Sequence, residues 1–435
     1  MPSVLPPRSQ AQSDWITRAR AVIPGGTTNS VQQPAGKEIL IHHGLGAHVF
    51  DTDGRKYLDF LMGGGPLIMG HAHPRIVEAI GRAAALGTHH FGLTDRAVEL
   101  AERLCKYIPS AEMVRFSSTG TEATSHALRL ARAITERSAY VKFDGAYHGH
   151  GDLAAWSYEG AHTDMPKGTP GSGGIQGGVS DDVYVLPFND TAAFREAMKS
   201  HGRRFAAVIC EPLQRAIAPK PGFLDSLREE CDKSGAILIF DEVVTGLRFA
   251  PGSAQERYGV TPDITTLGKA LAAGIPMSAI VGKRRFMEHF DPIYERNDPE
   301  HFSFHCGTLN ANLLAVECAH VALDALMEEK GVDRLDELGA MTREGLKRIF
   351  HDARTPVHVS GDSAIFHPYF SDRPVENNRD VANVDWAMSN AFHLKLWDAG
   401  IYKTFTKGYL TLAHESSHVA ELLETSAWAL AHLRG

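Results

Sequence analysis

At 435 residues, with 43% apolar and 22% charged residues, the chain has the composition of a folded protein with a large buried core. A net charge of −8 argues against a nucleic-acid or anionic-membrane surface, and no apolar run reaches the length of a bilayer span. The five cysteines have neither metal-type nor disulfide spacing and fit a reducing cytoplasm; the 23 histidines, several in close pairs, lack the carboxylates that would complete a metal site.

The first residues lack the apolar core of a secretory signal and read as a loose arm until about Trp15. Asp53-Gly54, flanked by Val49–Asp51 and Tyr57–Phe60, predicts a hairpin. Ala97, Ala101, Leu104, Cys105 and Ile108 recur at helical spacing. From Val114 to Gly282 short apolar strands (113–116, 139–143, 183–187, 206–210, 236–240 and 278–282) alternate with helices. That alternation predicts an α/β fold whose mostly parallel sheet carries helices on both faces, with ligands bound beyond the carboxyl ends of its strands. The glycine-rich stretch 167–178 has no strand before it and no helix after it, so it reads as a flexible loop rather than a dinucleotide site. Past about residue 312 a long helix through Leu314, Cys318, Val321, Ala322 and Ala325 opens a smaller α+β region. A last helix carrying Val419, Leu422, Leu423, Leu430 and Leu433 closes it.

Four segments carry chemistry. Asp241 ends the apolar run 236–240, and Lys269 follows at the close of the next strand. A lysine and a strand-end carboxylate suit pyridoxal phosphate, which needs an amine for its Schiff base and an anion to keep its ring nitrogen protonated. Upstream, Ser117-Ser118-Thr119-Gly120-Thr121 leads into a good helix former. Free N–H groups there can cradle a phosphate, although an ordinary Ser/Thr cap explains the same residues. Tyr147, in a Gly-rich loop after a strand, is placed to stack on a flat ring or to fill a turn.

In this order the four segments resemble class III pyridoxal-phosphate aminotransferases, within them the glutamate-1-semialdehyde aminomutase-like branch. The resemblance runs from about Arg18 to the C-terminus and includes Gly70-His71-Ala72-His73-Pro74, Tyr147-His148-Gly149, Glu211-Pro212, Asp241-Glu242-Val243 and Gly307-Thr308-Leu309. It implies the fold of type I pyridoxal-phosphate transferases. Residues 1–75 would form an N-terminal arm and a segment joining the small domain, 76–311 the large cofactor-binding domain, and 312–435 the C-terminal small domain.

The resemblance also implies roles. Lys269 is the Schiff-base lysine and proton-transfer base, and Asp241 the partner of the pyridinium nitrogen. Val243 and Tyr147 take the two ring faces, with His148 in support. Thr119 (a serine in relatives), Gly120 and Thr121 hold the phosphate. Thr308 reaches the same phosphate from the neighbouring subunit of a homodimer, unless it caps the helix beginning near Asn312. Glu211 matches a strand-end glutamate that acts on the cofactor's surroundings or supports the fold. Arg248 lies in a stretch common to the family and does not identify the substrate.

Departures bear on the substrate pocket. Relatives carry a carboxylate-gripping arginine shortly after the motif matched by Gly25–Ser30, where this chain has Gln32; glutamine cannot replace its bidentate, charge-assisted contact. Gly64 stands in place of a tryptophan, and losing that indole is expected to open the substrate pocket, to which the resemblance also assigns Ser30 and Gln32. The segment 404–408 is shorter than its counterpart and lacks its glutamate. Lys403 and Lys407 are expected at the surface, with a substitute cation as the alternative.

The resulting expectation is a cytoplasmic aminotransferase. It would move an amino group from an amino acid or amine, with β-, D- and aryl amino acids among the candidates, to a keto acid in a ping-pong reaction. The alternative is an aminomutase or racemase of the same fold; a decarboxylating enzyme and a non-catalytic binding protein are further from the pattern.

Overall fold

In a computed structural model, residues 4–28, 33–34, 36–159 and 165–433 are described. Three N-terminal strands, β1 (Ile41–Leu45), β2 (His48–Asp51) and β3 (Lys56–Asp59), form antiparallel pairs, and the Asp53-Gly54 turn joins the last two. The central sheet follows: β4 (Met113–Ser117), β5 (Ala139–Phe143), β6 (Val183–Leu186), β7 (Phe205–Cys210), β8 (Ile237–Glu242), β9 (Ile264–Leu267) and β10 (Ser278–Gly282). Its order is β4-β10-β9-β8-β7-β5-β6, with β10 antiparallel to both neighbours and the other pairs parallel. The C-terminal region adds β11 (His358–Ser360), β12 (Ile365–Tyr369), β13 (Ile401–Tyr402) and β14 (Gly408–Tyr409). β11, β12 and β14 form a separate sheet, whereas β13 pairs in parallel with β3 and joins the C-terminal segment to the N-terminal sheet.

Side-chain alternation explains how the central sheet is sandwiched. In β7 and β8, Ala207, Ile209, Ile237 and Ile239 pack in a cluster with Ala123, Ala127, Leu130 and Ala131 of helix Gly120–Thr135. Val208, Cys210, Leu238 and Phe240 face the other layer, which includes helix Phe223–Ser234. Both faces are buried, so these strands read as unbroken apolar runs rather than alternating ones. By the same period of two, Asp241 shares a face with Ile237 and Ile239, the face covered by helix Gly120–Thr135.

The N-terminus corrects one expectation. Gln10–Val22 is a helix, not a loose arm. The Ser9 hydroxyl accepts from the Gln12 amide at 3.2 Å, the Ser9 amide donates to Asp53 at 2.9 Å, and Arg55 donates to the buried Gln12 side chain at 2.9 Å. A cap and two anchors on the β2–β3 hairpin hold a segment whose composition alone looks unstructured. Among the described residues no helix is long and apolar enough to cross a membrane.

Helix Gly331–Asp352 crosses the C-terminal region so closely that a Cβ at Gly339 would lie 1.7 Å from the Ser363 carbonyl oxygen. The Ser363 hydroxyl in turn donates to the Arg248 carbonyl at 3.1 Å. Alanine normally improves a helix interior by about 1 kcal/mol over glycine, but here the contact is with backbone that cannot swing aside. Gly339→Ala is therefore expected to lower the unfolding free energy by about 1–3 kcal/mol, read from urea denaturation; a gain in stability would show that the two segments separate easily.

Candidate active site

Asp241 lies near the carboxyl end of β8 and is 4% exposed. Its carboxylate accepts from the Val243 amide at 3.1 Å and the Thr266 hydroxyl at 3.3 Å, and meets the buried His148 ring nitrogen Nδ1 at 2.7 Å. Nε2 of His148 is buried and has no hydrogen-bond partner among the described residues. Lys269 follows β9 with φ of +44°, a left-handed conformation rarely adopted by a lysine. Burial is the main influence on its amine and lowers its pKa. Tyr409 and Asp241 oppose that shift, while Lys407 and Arg248 add to it.

Helix Gly120–Thr135 begins with a capping box: the Thr119 hydroxyl accepts from the Glu122 amide at 3.2 Å. The Glu122 carboxylate accepts from the Ser118 and Thr119 amides at 2.8 and 2.9 Å. The amides of Gly120 and Thr121, in the first turn, have no partner within the helix. A Cβ at Gly120 would come within 3.0 Å of the Val243 side chain, and one at Gly268 within 3.2 Å. Val243 thus wedges between the helix start and the turn that presents Lys269.

The loop after β5 is fastened from below. The fully buried Lys142 ammonium donates to the carbonyls of Ala146, at 3.0 Å, and Trp156, and burial pushes its pKa down to about 7. Glu211 accepts from the Tyr147 amide at 2.8 Å, so it fixes the backbone that carries this aromatic side chain. Arg215 donates to the carbonyls of Gly145 and Tyr158, each at 3.0 Å, and its guanidinium carbon lies 5.5 Å from the Tyr147 ring centre.

These parts surround one cavity of about 540 Å³. Lys269, Asp241, Thr119, Gly120, Thr121, Tyr147, His148, Glu211, Val243 and Gly64 all line it. Thr308 does not; it is exposed on the turn before Asn312, and Asn312 itself caps the following helix by accepting from the Ala315 amide at 3.0 Å. Ser30 and Gln32 lie outside the described residues. A Cβ at Gly64 would meet nothing within 4 Å, so the cavity is open on that side.

Sequence reasoning missed Arg215 and Tyr409, which also line the cavity, as do Thr404 and Thr406 of the segment 404–408. Arg215 follows a strand end by five residues, the place where α/β sheets bind ligands, and that signal was available. The expected surface position of Lys403 and Lys407 is incorrect. Lys403 is 1% exposed, because its ammonium is satisfied internally by the Thr404 and Thr406 carbonyls, at 3.0 and 2.8 Å, and by His393 at 3.0 Å. Lys407 is partly buried and lines the cavity, where its ammonium is held by the Arg215 carbonyl at 3.2 Å.

The donor set fits the pyridoxal phosphate that the sequence resemblance implies. Unpaired amides at a helix start suit the phosphate, a buried carboxylate suits a protonated ring nitrogen, and a lysine amine opens to the same space. Among the described residues no group of three or more histidine, cysteine or carboxylate side chains is arranged to hold a metal.

Comparisons with known proteins agree. A sequence profile described as "Aminotransferase class-III" matches residues 30–413. The glutamate-1-semialdehyde 2,1-aminomutase of Desulfitobacterium hafniense is 38% identical over 430 residues, covering 96% of this chain and 97% of that protein. A glutamate-1-semialdehyde 2,1-aminomutase from Thermomicrobium roseum is 38% identical over 425 residues, 95% of this chain and 96% of that protein. Among solved structures, an omega-transaminase from Sphaerobacter thermophilus superposes with a TM-score of 0.92 at 35% identity, covering 98% of both chains. A beta-phenylalanine aminotransferase from Variovorax paradoxus gives 0.87 at 28% identity, covering 97% of this chain and 94% of that one.

Replacing His148 with phenylalanine keeps an aromatic ring, slightly larger than the imidazole, and removes the donor to Asp241. The variant is expected to lose about 1–3 kcal/mol of unfolding free energy, measured by urea denaturation of cofactor-free protein. Unchanged stability would mean that the remaining two donors suffice for the carboxylate.

Proposed function

The chain belongs to the class-III aminotransferases, pyridoxal-phosphate enzymes, and on that premise we propose that it transfers an amino group from an amino acid or amine to a keto acid in a ping-pong reaction. The observation that carries this reading is the single cavity in which Lys269 and Asp241 meet an open wall at Gly64. When bound, pyridoxal phosphate supplies a carbonyl that condenses with amines and a ring that withdraws electrons from the substrate carbon. With the cofactor bound, Lys269 Nζ, whose proton affinity burial reduces, would take the proton from that carbon and return it to the cofactor's carbonyl-derived carbon, on the far side of the transferred nitrogen. Asp241, oriented by His148, keeps a ring nitrogen protonated.

Tyr147 and Val243 bound the flat ring, and Thr119, Gly120 and Thr121 take the phosphate. Glu211 acts through the Tyr147 backbone as a positioning residue. In the same reading the enzyme is a cytoplasmic homodimer in which Thr308, exposed in its own chain, completes the phosphate site of the neighbour. The donor is a β-, D- or aryl amino acid, or an amine, admitted by the space over Gly64. A β-amino acid has support in the likeness to the beta-phenylalanine aminotransferase.

A second reading, an aminomutase that returns the amino group to the same molecule, is favoured by the names of the 38%-identical relatives. Glutamine at position 32, in place of the arginine of the branch, weighs against it. Single amino donors mixed with holoenzyme, without acceptor, separate the two. Stoichiometric loss of the cofactor's visible absorbance with release of a keto product is expected. Isomerisation of a compound without acceptor, and no net discharge by any donor, would replace transamination with the second reading. Lys269→Ala is expected to slow discharge by about 10²–10⁴-fold while still retaining cofactor; discharge at the original rate would remove Lys269 from proton transfer.

A further inference from the structure

The cavity holds more positive charge than its own carboxylates use. Asp241 is occupied by His148, Val243 and Thr266, and Glu211 by the Tyr147 amide. The Arg215 guanidinium is tied through Nε and Nη2 to two main-chain carbonyls of the Tyr147 loop, whereas Arg248 is fully buried outside the cavity lining, bonded to the Gly65 carbonyl with Nε and Nη1 unpartnered among the described residues. Lys403, outside the cavity lining, spends its side-chain nitrogen on two carbonyls and two histidines, His393 and His367. Lys407, which lines the cavity beside Arg215 and Lys269, is held at one point alone: of its three N–H donors, one is engaged among the described residues, by the Arg215 carbonyl at 3.2 Å. Its ammonium lies 5.8 Å from the Tyr409 ring centre, on the wall formed by Thr404, Thr406 and Tyr409.

Resting on the transamination reading, we propose that Lys407 is the cation that grips the substrate carboxylate, so that the donor is an amino acid rather than a carboxylate-free amine. The carbonyl of Arg215 aims the ammonium, and the two remaining donors serve the two oxygens of a carboxylate. Position 407 thereby supplies the charge that glutamine at 32 cannot. Burial pulls its pKa down to about 8; Glu211 and Asp241 oppose the shift, whereas Arg215 and Arg248 add to it. Carboxylate binding is accordingly strongest below that pH, where the ammonium is charged, and weakens as pH rises through it.

The test uses holoenzyme of the native sequence, Lys407→Met and Lys407→Arg, each checked for cofactor retention by visible absorbance. 3-Phenylpropionate, which has a carboxylate but neither amine nor carbonyl to react, is titrated by calorimetry. Lys407→Met is expected to bind it roughly tenfold or more weakly and without the loss of affinity above about pH 8, while Lys407→Arg stays within about threefold of the native protein. In donor half-reactions, Lys407→Met is expected to raise KM for 3-amino-3-phenylpropanoate about tenfold with a smaller change in kcat, collapsing its preference over 1-phenylethylamine. Equal binding of 3-phenylpropionate by Lys407→Met and native protein overturns the proposal. So does native protein that binds no 3-phenylpropionate, or loss of cofactor from Lys407→Met. If no donor discharges the native holoenzyme, transamination fails on its own, and the titration still decides the role of Lys407.

Discussion

A carboxylate buried at the end of a parallel strand is the constraint around which the site is built. Asp241 is almost without solvent, and an ionised carboxylate there is tolerable only if donors replace the lost water. The strand's own continuation supplies one through the Val243 amide, and the neighbouring strand a second through Thr266. The third comes from His148, on a loop that must fold back over the sheet to deliver it. Meeting the needs of one acid therefore fixes where β8 ends, how Val243 turns and where the loop after β5 runs.

That loop is itself held from beneath by a buried lysine. Lys142 sits inside β5 with no exposed surface, and its ammonium gathers carbonyls from both ends of the loop. Glu211, at the end of the adjacent β7, holds the Tyr147 amide, and Arg215 ties the Gly145 and Tyr158 carbonyls. All these bonds run from side chains to main chain, so they set the backbone while the Tyr147 ring stays partly exposed to the cavity. A rigid support below a presented side chain is what a binding surface requires.

The parts of this arrangement that were legible in the sequence are those set by local rules. Unbroken apolar runs gave the strands, and glycine and hydroxyl residues after β4 marked a helix start; both depend on neighbours in the chain. What was not legible depends on contacts distant in sequence. The helix at Gln10–Val22 exists because Ser9 and Gln12 meet residues of the β2–β3 hairpin. The fates of Lys403 and Lys407 depend on acceptors that only the folded chain brings near them. Four residues apart on one loop, they look alike as sequence, yet one is consumed inside the fold and the other reaches the cavity.

The start of helix Gly120–Thr135 shows that a cap and an anion cradle need not be rival readings of the same residues. The capping box uses the Thr119 hydroxyl and the Glu122 carboxylate to satisfy the amides of Ser118, Thr119 and Glu122. It stops there, leaving the Gly120 and Thr121 N–H groups of the first turn without a partner among the described residues. The Glu122 charge neutralises part of the positive end of the helix, which weakens its general attraction for anions. What survives is the directional part, two amides in a helix start held in place by its own cap. An anion bound there is selected by geometry more than by charge, and the same cap that consumes three donors keeps the other two aligned.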